Sequence, residues 1–220
     1  MWVETFRALS EIEGLAHAFV QRVPGIDVVT GKEQAIERLR FDHDLILVGL
    51  GMDRSCLWTA EQVHGADLAW CSGVDEQCDQ GAVDGLLTAE REVNLGIYVA
   101  DCCAVYVVDA EHQAIALLHS GKCGTELGIV PRAIDEMCEQ YGSDRKKIVV
   151  QLSPCIRPPW YEVDFAATIV EQCRSAGLLE GNIHGSEACT ATQVDRYYSY
   201  RREQGKTGRM LAVMGWREEF

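Results

Sequence analysis

The 220-residue chain lacks any run of about 20 apolar residues, the length a helix needs to cross the hydrocarbon core of a bilayer. A membrane partner is therefore not expected. The N-terminus lacks the basic start and apolar stretch of a secretory signal, since Glu4, Glu11 and Glu13 fall where that stretch would lie. This points to a cytoplasmic protein, and in a reducing compartment most of the ten cysteines read as small buried hydrophobes rather than a disulfide framework. Proline is scarce, at 5 residues, and no linker, repeat or low-complexity tract divides the sequence, so one domain over 1–220 is expected. Positive charge is scarce too: 20 Lys and Arg against 34 Asp and Glu leave a net charge of −14. That argues against a nucleic-acid partner, because affinity for a polyanion comes from neutralising its phosphates. A small anionic substrate would need a local basic pocket. Arg201, Arg202, Lys206 and Arg209 offer either that pocket or an ordinary solvated helix face.

Several familiar motifs are also missing. Gly49-Leu50-Gly51 begins a dinucleotide-binding loop without its third glycine and reads as a turn. There is no phosphate-binding GxxxxGK loop, no HExxH helix, no GxSxG elbow and no CxxC pair. Pro154-Cys155 lacks the second cysteine and the preceding HxE of the cytidine-deaminase zinc signature.

What the sequence does contain is an alternation of short apolar runs and amphipathic stretches. Residues 44–50 (DLILVGL), 95–100 (LGIYVA), 105–108 (VYVV) and 114–118 (AIALL) read as buried strands, with further candidates at 148–152 and 210–214. Between 128 and 141, Ile129, Ala133, Ile134, Met137 and Cys138 share one helical face, and Pro131 sits in the first turn, where its missing N–H costs little. Residues 33–39 and 165–173 repeat the pattern, and 195–203 reads as a charged helix or an extended arm. The fold class expected is α/β (α+β), with mixed β-sheets flanked by helices.

Three segments place metal-capable groups beside glycines or at strand ends: Gln62-Val63-His64-Gly65, Ala100-Asp101-Cys102 and His119-Ser120-Gly121. A catalytic zinc commonly takes three protein ligands and keeps a fourth position for water or substrate, whose pKa or polarity it alters. His64, Cys102 and His119 fit that count, and Asp101 adds a carboxylate suited to acid–base or supporting work. Spacing alone leaves open the alternative that all of these are core residues.

The ordered series QVHG (62–65), DGLLT (84–88), VADC (99–102), HSG (119–121), SPCIRPPWYEV (153–163), CTAT (189–192) and YYSYRR (197–202) resembles the YfiH, or laccase-domain, purine nucleoside phosphorylase family, once labelled multicopper polyphenol oxidase. The likeness covers the motif-bearing part, 60–210, and leaves 1–59 divergent. It implies a single domain of mixed sheets with helices, and a zinc site, with copper as the other possibility, at His64, Cys102 and His119. It also implies phosphorolysis of adenosine, inosine, guanosine or methylthioadenosine, or adenosine deamination. The small-molecule partners implied are a purine nucleoside and phosphate, with the chain a monomer or homodimer. Asp101, Cys102, Arg201 and Arg202 are then the expected catalytic residues; Gln62, Lys122 and Arg202 the substrate contacts. Arg201 or Arg202 can clamp phosphate bidentately, or serve as a structural ion pair.

The sequence departs from that family where HAGWRG becomes HSGKCG, placing Lys122 and Cys123 where tryptophan and arginine stand, and lysine does not reproduce the guanidinium fork. Cys103 reads as a core residue and Cys123 as a structural cysteine or spare ligand. The family's FFTRxGGVS and SLN segments have no clear counterpart around 18–22. Competing expectations are a copper-dependent polyphenol oxidase, for which clustered histidines are too few, a peptidoglycan-editing amidase, and a non-catalytic zinc-binding module.

Overall fold

The structure, a computed structural model, describes residues 2–73 and 79–217. In chain order its elements are β1 (Val3–Glu4), α1 (Arg7–Ser10), β2 (Leu15–Val20), α2 (Lys32–Gly49), β3 (Leu57–Ala60), β4 (Leu68–Trp70), β5 (Asp79–Gln80), β6 (Gly85–Thr88), β7 (Asn94–Val99), β8 (Cys103–Asp109), β9 (Ala114–Ser120), α3 (Lys122–Glu126), α4 (Ile129–Tyr141), β10 (Val149–Leu152), α5 (Phe165–Ser175), β11 (Ile183–His184) and β12 (Met210–Trp216).

The strands form two six-stranded sheets, ordered β1-β2-β12-β7-β3-β5 and β11-β10-β8-β9-β6-β4. Both are mixed: β3 runs parallel to β7 while β12 is antiparallel to β7, and β4 runs parallel to β6 while β9 is antiparallel to β6. Successive side chains on a strand point to opposite faces, so the core membership of alternate residues reveals the layering. Leu95, Ile97 and Val99 of β7 and Ala212 and Met214 of β12 pack in one cluster with Ala104, Tyr106 and Val108 of β8 and Ile115 and Leu117 of β9, which is the seam between the sheets. The alternate residues of β8 and β9, such as Val105, Val107, Ala116 and Leu118, pack instead against Ile134 and Met137 of α4 and Ile169 of α5. On the far side, Ala18, Leu211 and Val213 are covered by Leu47 of α2. The order is helix, sheet, sheet, helix, and strands buried on both faces read as continuous apolar runs.

The expected strands at 95–100, 105–108, 114–118, 148–152 and 210–214 and the helices at 128–141 and 165–173 correspond to β7, β8, β9, β10, β12, α4 and α5. Residues 33–39 lie in α2. The strand expected at 44–50 is a correction, because these residues continue α2. Ala35, Leu39, His43 and Leu47 form its buried stripe at helical spacing, but Leu45 and Val48 are exposed on the opposite side. An apolar run on both sides of a helix turn looks like a two-sided strand in sequence. The helix stops at Gly51, in the left-handed region at φ 71°, where the Met52 N–H reaches the Leu47 carbonyl and the Gly51 N–H reaches that of Val48. This paired closure satisfies carbonyls that the helix end leaves free, and the turn expected at Gly49-Leu50-Gly51 is this cap.

Residues 195–203 are neither helix nor arm but a series of tight turns. Adjacent Tyr197 and Tyr198 are both fully buried, which neither a solvated helix face nor an arm allows. Arg22 ties the segment to the N-terminal part: its guanidinium donates to the Tyr197 carbonyl and to Glu203 and lies 4.4 Å from the Tyr198 ring centre.

Burial holds His17 and His43 well below the usual histidine range, at about 4. A folded-state pKa below the unfolded one means the unfolded chain binds more protons as the pH falls, so stability present above about 6.5 is lost down to about 4. Each histidine contributes up to about 3 kcal/mol to that loss. Urea unfolding is expected to show a falling midpoint from pH 7 to pH 5, and His43→Leu to reduce the fall by about half; an unchanged pH dependence in that variant would refute the assignment.

Candidate metal centre

Three side chains meet at one end of the seam between the sheets. His64 follows β3, Cys102 lies in the short link from β7 to β8, and His119 is the penultimate residue of β9. The site therefore takes one ligand from a strand and two from connections that cross between the sheets, β3 to β4 and β7 to β8. Alternation explains the choice between adjacent thiols. Cys103, opposite Ser120, belongs to the helix-covered face and is fully buried, so Cys102 turns the other way. The ligand atoms of His64, Cys102 and His119 lie within 4.8 Å of one another, and the two imidazoles meet edge to face with their ring centres 4.8 Å apart. His119 is buried, Cys102 half-buried and His64 exposed, which leaves the group open on one side.

Asp84 holds this arrangement. The antiparallel register of β6 and β9 pairs Gly85 with Leu118 and brings Asp84 beside His119, whose N–H donates to the Asp84 carbonyl at 2.7 Å. The fully buried carboxylate of Asp84 accepts from the backbone N–H groups of Val63, His64 and Gly65 at 3.1, 2.9 and 2.6 Å. Its Oδ1 also lies 2.7 Å from His119 Nδ1. One carboxylate thus fixes the QVHG turn and the orientation of the His119 ring, leaving Nε2 as the ligating nitrogen. Gln62 and His64 both take left-handed backbone, at φ 62° and 64°, a conformation that non-glycine residues adopt only when held there. Gly121 has a steric role: a Cβ there would stand 2.6 Å from Cys102 Sγ.

Electrostatics agree with a ligand set. Burial opposes ionisation of the Cys102 thiol, but attraction to His119 and hydrogen bonds from His119 and His64 outweigh it and bring the thiol to about 6. Burial likewise opposes charge on His119, yet the Cys102 thiolate and the Asp84 carboxylate raise it to about 9. Burial works against the Asp84 carboxylate too, but bonds from His119 and the Gly65 N–H hold its pKa below the usual value. A thiol that ionises this readily is suited to serve as a metal ligand. Two imidazoles and a thiolate at this spacing suit a borderline-soft divalent metal such as zinc.

The centre opens into a cavity of about 700 Å³. Tyr98, Ile156, Tyr161, Phe165 and Tyr200 give it apolar walls, and Lys32, Lys122, Arg201 and Arg209 give it cationic groups. Lys122, expected as a substrate contact, and Arg201, expected as a catalytic residue, both line it. Gln62 and Asp101 also line the cavity, but their polar atoms are engaged. The Gln62 amide donates to the Tyr98 carbonyl and accepts from the Tyr98 N–H, tying the QVHG turn to β7. The Asp101 carboxylate accepts from Thr190 Oγ1 at 2.6 Å, Ser199 Oγ at 3.1 Å and the Arg201 N–H at 2.7 Å. These contacts fix both side chains in the cavity wall.

Arg202 does not line the cavity. Its guanidinium lies 4.1 Å from the Trp160 ring centre and donates to the Ala191 carbonyl. Lys206 is likewise outside, and Cys123 is exposed at the cavity wall. Asp84 had no individual signal in the sequence beyond its place in DGLLT, Tyr161 and Tyr200 none beyond their motifs, and Phe165 none beyond the helical pattern at 165–173.

Comparison with known proteins places these features in a family. The family described as multi-copper polyphenol oxidoreductase laccase matches residues 28–170 and 161–217. The purine nucleoside phosphorylase YlmD of Geobacillus stearothermophilus is 33% identical over 202 residues, covering 73% of this chain and 72% of that protein. A purine nucleoside phosphorylase of Streptomyces coelicolor is 29% identical over 199 residues, covering 79% and 80%. Among solved structures, the fold matches Bacillus licheniformis hypothetical protein YfiH with a TM-score of 0.83 at 20% identity, covering 94% of this chain and 95% of that one. YlmD from Geobacillus stearothermophilus matches with a TM-score of 0.78 at 25% identity, covering 94% and 93%.

Replacing the supporting carboxylate is expected to weaken the metal site without removing a ligand. Asp84→Asn should lower zinc affinity about 10- to 100-fold in a chelator competition titration. Wild-type affinity in that variant would show that Asp84 does not orient His119.

Proposed function

The chain belongs to the multi-copper polyphenol oxidoreductase laccase family, and we propose that it is a cytoplasmic, zinc-dependent enzyme that phosphorolyses purine nucleosides. The observation that carries this reading is a single His-Cys-His group opening into an aromatic-walled, cation-bearing cavity of about 700 Å³, a size suited to a small-molecule ligand. Its relatives' names point the same way. An oxidase built on several coppers finds little support: His64, Cys102 and His119 are the one group of three or more metal-capable side chains among the described residues, and His17 and His43 are buried elsewhere. All nine described cysteines are free thiols, as a reducing compartment favours, and no described helix is long and apolar enough to cross a membrane.

His64, Cys102 and His119 would hold the metal, and the bound ion supplies a Lewis acid at the cavity floor. The chain's own residues supply positioning. Tyr161 and Tyr200 offer aromatic surface to a purine ring, with Phe165 buried behind Tyr161, and Arg201 with Lys122 offers opposite charge to a phosphate. In phosphorolysis a phosphate oxygen forms a bond to ribose C1′ as the C1′–N9 bond breaks, so the anion must be held against the sugar while the base departs. Holding both partners in one cavity removes the entropic cost of bringing them together. Asp101 contributes by fixing the Arg201 backbone beside Cys102.

Incubation of metal-analysed protein with adenosine, inosine, guanosine or methylthioadenosine and phosphate is expected to yield the free base and ribose 1-phosphate, or its methylthio derivative. Chromatography separates these products from the inosine that deamination of adenosine would give without phosphate. Cys102→Ala should abolish both zinc content and turnover. No product from any of these nucleosides with zinc-loaded protein would sink the proposal, and a copper-loaded protein that oxidises phenols would replace it.

A further inference from the structure

Two of the cavity's cations share a single counter-ion. Lys122 Nζ lies 3.6 Å from Glu162 Oε1, and Arg201 Nη2 lies 3.5 Å from Glu162 Oε2. Lys122 and Arg201 line the cavity, whereas Glu162 does not. The two cations are also tied to different ligand segments of the metal centre. Lys122 begins α3 three residues after His119, and the Arg201 backbone is held by Asp101, the neighbour of Cys102. The Tyr161 ring, centred 5.0 Å from the Arg201 guanidinium, supports that side chain from below.

We infer that Glu162 is a displaceable stand-in for the anionic substrate group: its one carboxylate occupies Lys122 and Arg201 at the cavity mouth until inorganic phosphate takes over both. This rests on the phosphorolytic reading of the site and adds a residue that sets affinity for the second substrate. Three features favour exchange. Both contacts are longer than the 2.7–2.9 Å of a tight charge-assisted hydrogen bond. All three side chains are substantially exposed, with Glu162 at 56%, Arg201 at 51% and Lys122 at 39%, and exposed ion pairs contribute little. Finally, one carboxylate between two cations leaves a positive charge uncompensated, and a phosphate dianion neutralises it. Retraction of Glu162 on its exposed stem then needs no movement of the backbone.

The test is calorimetric titration of zinc-loaded protein with inorganic phosphate, paired with the phosphate KM wherever turnover is found. Glu162→Gln keeps the shape and removes the competing charge, so it should tighten phosphate binding about two- to tenfold, the worth of one or two exposed ion pairs. Arg201→Ala should weaken binding, and Glu162→Gln added to it should give a smaller gain than in the wild-type background. Lys122→Ala should behave in the same direction as Arg201→Ala. Unchanged or weaker phosphate binding in Glu162→Gln would overturn the inference, as would failure of the wild type and Glu162→Gln to bind phosphate. The binding arm needs no turnover: tighter phosphate without product retains the subsite and rejects the reaction, whereas product formation with a phosphate KM indifferent to Glu162 rejects the subsite alone.

Discussion

The buried carboxylate of Asp84 is the constraint on which the site depends. A carboxylate with no solvent contact must be compensated by hydrogen bonds, and here the compensating donors are three consecutive backbone N–H groups of the QVHG turn together with the His119 imidazole. The same bonds that make the buried charge tolerable set the positions of two proposed ligands. Removing the carboxylate would release a turn held in left-handed backbone and leave the His119 ring without its orienting acceptor. Stability and site geometry are in this respect a single requirement.

That requirement is met because of how the sheets are joined. β6 and β9 are antiparallel neighbours in one sheet, β3 and β7 parallel neighbours in the other, and the 100–102 link crosses between them. The ligands therefore converge at the end of a packed seam, His119 on a strand and His64 and Cys102 on the connections beside it. HSGKCG keeps the histidine, and keeps the glycine that makes room for Cys102, while lysine and cysteine occupy the next two positions.

Much of this was legible in the sequence, for identifiable reasons. Strands buried on both faces give runs such as VYVV and AIALL, and α4 announces itself by one apolar stripe, so these elements could be read directly. The second half of α2 could not, because Leu45 and Val48 are apolar without being buried, and the local pattern then carries no period. The turns at 195–203 were hidden for the converse reason: they are fixed by distant partners, Glu4 and Arg22, rather than by local spacing. His64, Cys102 and His119 are legible as metal-capable groups beside glycines or at strand ends, and the resemblance singles them out. Asp84 was one of 34 acidic residues, and only the β6–β9 register brings it to His119. Arg202 looked equivalent to its neighbour Arg201, but the turn sends it onto Trp160 and away from the cavity.

The most direct measurement is X-ray absorption at the zinc edge of the metal-loaded protein, compared between wild type and Cys103→Ala. A site built from His64, Cys102 and His119 requires one sulfur and two imidazole nitrogens in the first shell, completed by a lighter atom from solvent or substrate, and no change when Cys103 is removed. A shell without sulfur, or one that loses its sulfur with Cys103, would contradict the account.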